Sequence, residues 1–232
     1  MTAMQASIGA LNDLVDAPSD RGRKPGKPIP TGLVGRRLAW ATVVTGAGVG
    51  LGLAVPGGGG AVALALLVLG IGYGYDLLAK GTAWSWVPFT VGIPLLPVYG
   101  WFGAVSGLAP WFASLVPMAA LAGSALAVAN AYADLERDRD AGTTTVATAL
   151  GPERSWWASL GLWTVTAAIA IGSAVAAGAS PFELVAIGAG VSVILAGTAI
   201  GRGAGPDRRE RSWEVQAVGA AVTAIGWILA VA

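Results

Sequence analysis

Neither cysteine nor histidine occurs among the 232 residues. The first absence excludes a disulfide framework and any thiolate metal centre. The second removes the usual neutral-pH proton carrier and the commonest transition-metal ligand. Any metal this chain holds must therefore sit on oxygen. Charge is scarce as well: 12% of residues are charged, against roughly 25% in an ordinary soluble domain. Residues 1–10 also lack the basic start and apolar run of a secretory signal.

What is there is apolar. Hydrophobic residues make up 55% of the chain and the mean hydropathy is +0.67, which places it in a membrane. Stretches long enough to cross a bilayer, about 20 residues each, lie at 33–55, 59–79, 84–104, 110–133, 156–178, 181–201 and 212–231. Lipid offers no partner for exposed backbone groups, so an open sheet is excluded and a helical bundle remains. Glycine and alanine run through every span, as close helix packing in lipid favours. The expected fold is all-α: a polytopic transmembrane bundle of seven full spans, preceded by residues 1–15 as the end of a further helix, in a single domain over 1–232.

The few charges are unevenly placed. If the spans alternate in direction, the segments 21–37, 80–83, 134–155 and 202–211 share one face, and with their helix ends they hold all 14 Lys and Arg residues. The opposite turns, PGGGG, VSGLAP and AAGAS, hold none. Positive charge marks the cytoplasmic side. The acidic residues lie on that face too, except Glu183.

Two acidic clusters end helices on this face. The first reads LNDLVDAPSD, with Asn12, Asp16 and Asp20 at i, i+4 and Asp13 beside them. The second reads NAYADLERDRD, with Asn130, Asp134 and Asp138 at the same spacing. Residues four apart stack on one face of a helix, about 5–6 Å apart. Carboxylate and amide oxygens without His or Cys are hard ligands that suit Mg²⁺, which keeps positions for water and substrate phosphate. The plainer reading of either ladder is a solvated helix end; two of them on one face of a histidine-free membrane protein favour the metal.

These residues carry a resemblance. NDLVDAPSDRGRKPGKPIPTG resembles the first signature of the UbiA superfamily of intramembrane prenyltransferases, and NAYADLERDRDAGTTTVATALG resembles the second. YDLLAKGTAWSWVPF, between them, is similar to the family's Tyr and Lys segment. The resemblance implies nine transmembrane helices around a central cavity with both signatures at its cytoplasmic mouth. It also implies a chain that is N-terminally incomplete, lacking the first helix and most of the second. The activity implied is Mg²⁺-dependent transfer of a prenyl group from a polyprenyl diphosphate to an aromatic or quinone-precursor acceptor. Asn12, Asp13, Asp16, Asp20, Asp134 and Asp138 would then hold metal, and Lys24, Lys27, Lys80, Arg139 and Asn130 would bind diphosphate. Asp16, Asp134, Tyr75 and Lys80 would carry catalysis, with Tyr75 shielding a developing carbocation by its ring face.

Other residues invite plainer readings. Tyr73 and Tyr132 stand at span ends, where aromatic rings anchor at the interface, and most tryptophans read as the same belt. Arg36, Arg37 and the run RGAGPDRRER at 202–211 read as positive-inside bias. Ala131 and Thr143 depart from the family pattern and put the number of metal ions in question. Two other functions remain open on sequence: phosphoribosyl transfer to a polyprenyl phosphate, and lipid binding without catalysis.

Overall fold

The computed structural model describes residues 1–21, 26–105 and 107–232, and every regular element among them is helical. The long helices are α1 (Thr2–Asp20), α2 (Arg36–Ala54), α3 (Gly58–Gly74), α4 (Val87–Ala104), α5 (Phe112–Ala133), α8 (Pro152–Ala176), α9 (Pro181–Gly201) and α10 (Pro206–Val231). Two short helices, α6 (Leu135–Asp140) and α7 (Val146–Leu150), lie between α5 and α8. Among the described residues, six stretches are long and apolar enough to cross a membrane. The first, Arg36–Ala79, is 44 residues, about twice what a bilayer needs. The 3₁₀ turn Val55–Gly57 and the positive φ of Gly58 divide it into α2 and α3. The seven expected spans are thus α2, α3, α4, α5, α8, α9 and α10. Their outer faces carry exposed apolar side chains, among them Leu53, Phe182, Val185 and Leu229, as the lipid-facing surfaces of a multi-pass membrane protein do.

Local chemistry sets the boundaries. Helices α8, α9 and α10 each begin with proline at their first positions, where its missing N–H costs nothing. At the start of α9, Ser180 and Glu183 form a reciprocal capping box, with the Ser180 amide donating to Glu183 Oε2 at 2.6 Å. That explains the one acidic residue standing away from the charged face.

The chain forms two compact units: residues 1–80 with 95–108, and 81–94 with 109–232. In the first, the side-chain pairing fixes the course of the chain. Gly46 lies against Ala3 and Ser7, and Gly50 against Met4, so α2 runs antiparallel to α1. Ser7 meets Tyr73, Asn12 meets Asp76 and Asp16 meets Lys80, so α3 and the turn after it run parallel to α1. The result is an up, down, up arrangement that brings the end of α1 beside the end of α3.

The second unit is built on a seam between α9 and α10. Ile187 faces Gly226, Gly190 faces Thr223, Ile194 faces Gly219, Gly197 faces Gln216 and Gly201 faces Ser212. This antiparallel register places a small residue at nearly every crossing, so the backbones approach closely. A buried polar network ties α8 to it: Trp163 Nε1 donates to Gln216 Oε1 at 2.7 Å, and Gln216 Nε2 donates to Ser212 Oγ at 3.0 Å. Each buried polar atom satisfied in this way avoids a desolvation cost of about 1–3 kcal/mol.

Candidate functional site

Each unit presents one of the two acidic ladders. In the first unit α1 remains helical through Pro18 to Asp20, so Asn12, Asp16 and Asp20 do share a face. Lys27, from the segment after α1, is held in this row: its Nζ lies 2.6 Å from Asp13 Oδ1, 3.4 Å from Asp20 Oδ2 and 3.8 Å from Asp16 Oδ2. Lys80 Nζ bonds both oxygens of Asp16 at 2.6 Å. The three carboxylates together hold the Lys27 ammonium. Burial alone would lower its pKa, but the Asp13 bond and the charges of Asp13, Asp16 and Asp20 outweigh it and raise the group above its ordinary 10.5.

Lys80 reaches Asp16 because the chain leaves α3 through a π-helical turn, Tyr75–Ala79, closed by Lys80 N donating to Tyr75 O at 2.8 Å. Such turns insert one extra residue and re-aim the side chains beyond them. Here the turn does two things. It sets Lys80 on Asp16, with its Nζ 5.9 Å from the Tyr75 ring centroid, and it buries Asp76 against Asn12, whose Nδ2 donates to Asp76 Oδ1 at 2.7 Å. Tyr73, one step earlier in the same row of contacts onto α1, bonds Ser7 Oγ at 2.6 Å.

In the second unit α5 ends at Ala133, and Asp134 (φ −89°, ψ 3°) joins it to α6. The ladder survives the break, because Asp134 N donates to Asn130 O at 3.1 Å and Asp138 N to Asp134 O at 2.9 Å. Asn130 is exposed and Asp134 partly so, the latter paired with Arg137 Nη1 at 2.8 Å. Burial pushes the Asp138 carboxyl above its ordinary 3.8 and the Asp134 charge adds to this, against a hydrogen bond from Thr145 and the charge of Arg137. Arg139 and Asp140 are exposed. Behind the ladder Tyr132 is buried, donating to Gly201 O at 3.2 Å.

Of the residues expected at the site, Asn12, Asp13, Asp16, Asp20, Lys27, Tyr75 and Lys80 are brought together in the first unit. Asn130, Asp134, Asp138 and Arg139 stand along one helix end in the second. Lys24 lies outside the described residues. Two buried charged residues beside the ladders are not evident from sequence. Asp76 is a lone acid near the end of the 59–79 span, and nothing in its local sequence points to Asn12. Arg209 sits in the run that suggests positive-inside bias, yet its side chain is buried, with Nη1 on the Tyr132 carbonyl at 3.3 Å and on Glu136.

The oxygen-only donor set fits a hard cation. Among the described residues no three acidic groups close on a single metal position; in the first ladder the cationic places are taken by the two ammonium groups. Asp76 Oδ2, buried and without a hydrogen-bond partner among the described residues, is a spare acceptor.

Residues 1–218 match the model of the UbiA prenyltransferase family. The chain belongs to that family. Its fold is shared with solved UbiA homologues: one from Aeropyrum pernix K1 is 22% identical with a TM-score of 0.77, covering 98% of this chain and 85% of that one. One from Archaeoglobus fulgidus, bound to GPP and Mg²⁺, is 21% identical with a TM-score of 0.63, covering 96% and 84%. A digeranylgeranylglyceryl phosphate synthase is 16% identical with a TM-score of 0.74, covering 99% and 82%. Among curated proteins, the lycopene elongase/hydratase of Haloferax volcanii is 37% identical over 81 residues, 33% of this chain and 25% of the relative. The match thus spans only a quarter of that protein's length. This UbiA-family chain is accordingly a multi-pass membrane protein of a prenyltransferase family.

Proposed function

We propose that this prenyltransferase transfers a prenyl group from a polyprenyl diphosphate to an aromatic or quinone-precursor acceptor, with Mg²⁺, at the cytoplasmic face of the cell membrane. The observation that carries the reading is the first ladder: three carboxylates and an amide on one face of α1, with two lysine ammonium groups held among them. A site that orders cations on oxygen beside two lysines suits a metal-bound diphosphate. Asn12, Asp13, Asp16 and Asp20 would hold metal in the first unit, and Asp134 and Asp138 would hold metal in the second. Bound there, Mg²⁺ would act as a Lewis acid toward the departing diphosphate.

The chain's own residues have distinct tasks in this reading. Breaking the allylic carbon–oxygen bond leaves negative charge on diphosphate and positive charge on the prenyl carbon, so stabilising the leaving group dominates. Lys24, Lys27 and Lys80 in the first unit, and Arg139 and the Asn130 amide in the second, would each supply donors to phosphate oxygens. The Tyr75 ring, close enough to Lys80 to sense its charge, would attract the cationic prenyl carbon by its face.

A second acceptor class has support of its own. The lycopene elongase/hydratase relative makes a polyene hydrocarbon an alternative to an aromatic ring. The test is turnover of detergent-purified protein with geranyl and geranylgeranyl diphosphates against aromatic, polyene and glycerol-phosphate acceptors, with a phosphoribosyl diphosphate arm and a chelator control. Prenylated product that vanishes on chelation supports the reading. Turnover indifferent to chelation, or product in the phosphoribosyl arm alone, overturns it.

A further inference from the structure

Asp76 belongs to neither acidic ladder, yet it is 4% exposed and touches the first one. A carboxylate only accepts hydrogen bonds, so the group it faces on Asn12 must be the amide nitrogen, at 2.7 Å from Oδ1. An amide is planar, so fixing Nδ2 also fixes Oδ1 on the other side. Without that bond the Asn12 amide is free to turn its N–H₂ toward a cation, which it would repel. The contact is in register with the one between Lys80 and Asp16: each lies one helical step of four along α1 and along the turn after α3. The π-helical turn therefore delivers an acceptor to the ladder's amide and a donor to its central carboxylate.

We propose that Asp76 is a positioning residue for the donor site: it holds the Asn12 amide nitrogen so that the Asn12 oxygen is the atom presented to a divalent cation. The inference rests on the proposed role of Asn12 as a metal ligand. Groups that orient metal ligands typically contribute about 10–100-fold in metal affinity. The second oxygen, Oδ2, is buried without a partner among the described residues. That is a costly arrangement for a group with no task beyond packing.

The test uses the full chain in detergent and Mn²⁺ alone, followed by electron paramagnetic resonance, with no substrate and no turnover required. Asp76→Leu should weaken Mn²⁺ binding by about 10–100-fold. Asp76→Asn keeps an oxygen for Asn12 to donate to and should weaken it only a few-fold. Asn12→Asp alone sets two carboxylates against each other and should lose binding, while Asn12→Asp with Asp76→Asn restores the hydrogen bond in reverse and should recover it. In turnover assays the defect should appear in the Mg²⁺ concentration required, with the rate at saturating Mg²⁺ close to the parent's. Melting temperature is followed for every variant; the swapped pair keeps the question answerable if Asp76→Leu does not fold. Asp16→Asn separates the two claims. If Asp16→Asn abolishes Mn²⁺ binding while the Asp76 variants and the swap bind as the parent does, the positioning role is wrong and the metal reading stands. If Asp16→Asn also binds as the parent does, the metal reading fails and the inference with it.

Discussion

Arg209 Nη1 donates to both carboxylate oxygens of Glu136, each at 2.9 Å, joining the start of α10 to the helix that carries the second ladder. The guanidinium lies 4.3 Å from the Tyr132 ring centroid and is almost wholly buried, whereas Glu136 is half-exposed. This one side chain thus closes off the end of α5, accepting ring contact below and capping the Tyr132 carbonyl.

Replacing Arg209 by alanine should cost about 1–3 kcal/mol, the range for hydrogen bonds to a charged group with one partner still wet. Lysine should recover only part of it, because a point charge lacks the planar guanidinium that stacks on the ring. Thermal unfolding followed by tryptophan fluorescence measures both. An Arg208→Ala control, at an exposed neighbour, should leave the melting temperature within about 2 °C if surface substitutions keep to their usual ±0.5 kcal/mol.

Asn substitutions test the ladders directly. Asp16→Asn, Asp134→Asn and Asp138→Asn keep nearly the same shape and remove one charge, so insertion and folding should persist. Turnover should fall by about 10²–10³-fold, or roughly 3–4 kcal/mol, the usual loss on removing one well-placed electrostatic group. Excess Mg²⁺ should restore part of it. Asp140, exposed and one step off the ladder, should tolerate Asn with little change. Full activity in Asp134→Asn and Asp138→Asn would remove the second ladder from the mechanism.

Much of this is legible in the residues because two different periodicities are written plainly. Apolar length marks the spans, and four-residue spacing of acids marks the ladders, since both depend on one helix at a time. Asp76 and Arg209 are illegible for the opposite reason. Each matters through a partner far along the chain, Asn12 and Glu136 respectively, and the π-helical turn that aims Asp76 comes from no local composition rule. Tyr132 illustrates the same limit: its position at a span end suggests an interfacial ring, but its hydroxyl is spent on Gly201 and its face on Arg209.

The α9–α10 seam offers a matched pair within one helix. A Cβ at Gly190 would lie 2.4 Å from the Thr223 backbone nitrogen, whereas one at Gly188 would meet nothing within 4 Å. Gly190→Ala should force the helices apart at about 1–3 kcal/mol, the usual cost of overpacking. Gly188→Ala should be neutral or mildly stabilising, since alanine is the better helix former. Equal melting temperatures for the two variants would show that the seam is looser than its register implies.

Sidedness is open to a clean chemical test, because the chain has no cysteine of its own. Cysteine at Thr31 or Ala141, each exposed in a basic segment of its own unit, should resist an impermeant thiol reagent applied outside intact cells. Cysteine at Ala177, exposed in the turn after α8, should react. The reverse pattern would turn the protein over in the membrane and place both ladders outside.

The last prediction concerns the ammonium that stands among the carboxylates. Lys27 is bonded to Asp13 and within ion-pair range of Asp16 and Asp20, so in the substrate-free protein it competes with any cation for those oxygens. Lys27→Gln removes the competing cation but also the positive charge that a phosphate donor needs here, leaving only a neutral amide. Affinity for Mn²⁺ alone should therefore rise, while the geranyl diphosphate concentration needed for turnover should rise as well, two changes that a misfolded site would not produce together. Raising the pH within the ordinary range should not mimic the substitution. The raised Lys27 pKa means its contribution to stability is fully present below the unfolded value near 10.5 and is lost only as pH climbs through the higher folded value. Between about pH 6 and 9 the ammonium is charged in both folded and unfolded chains, and metal affinity in the Lys27→Gln protein should exceed the parent's by a constant factor across that window. A factor that collapses toward one on raising the pH within it would mean that some other group, and not Lys27, guards the ladder.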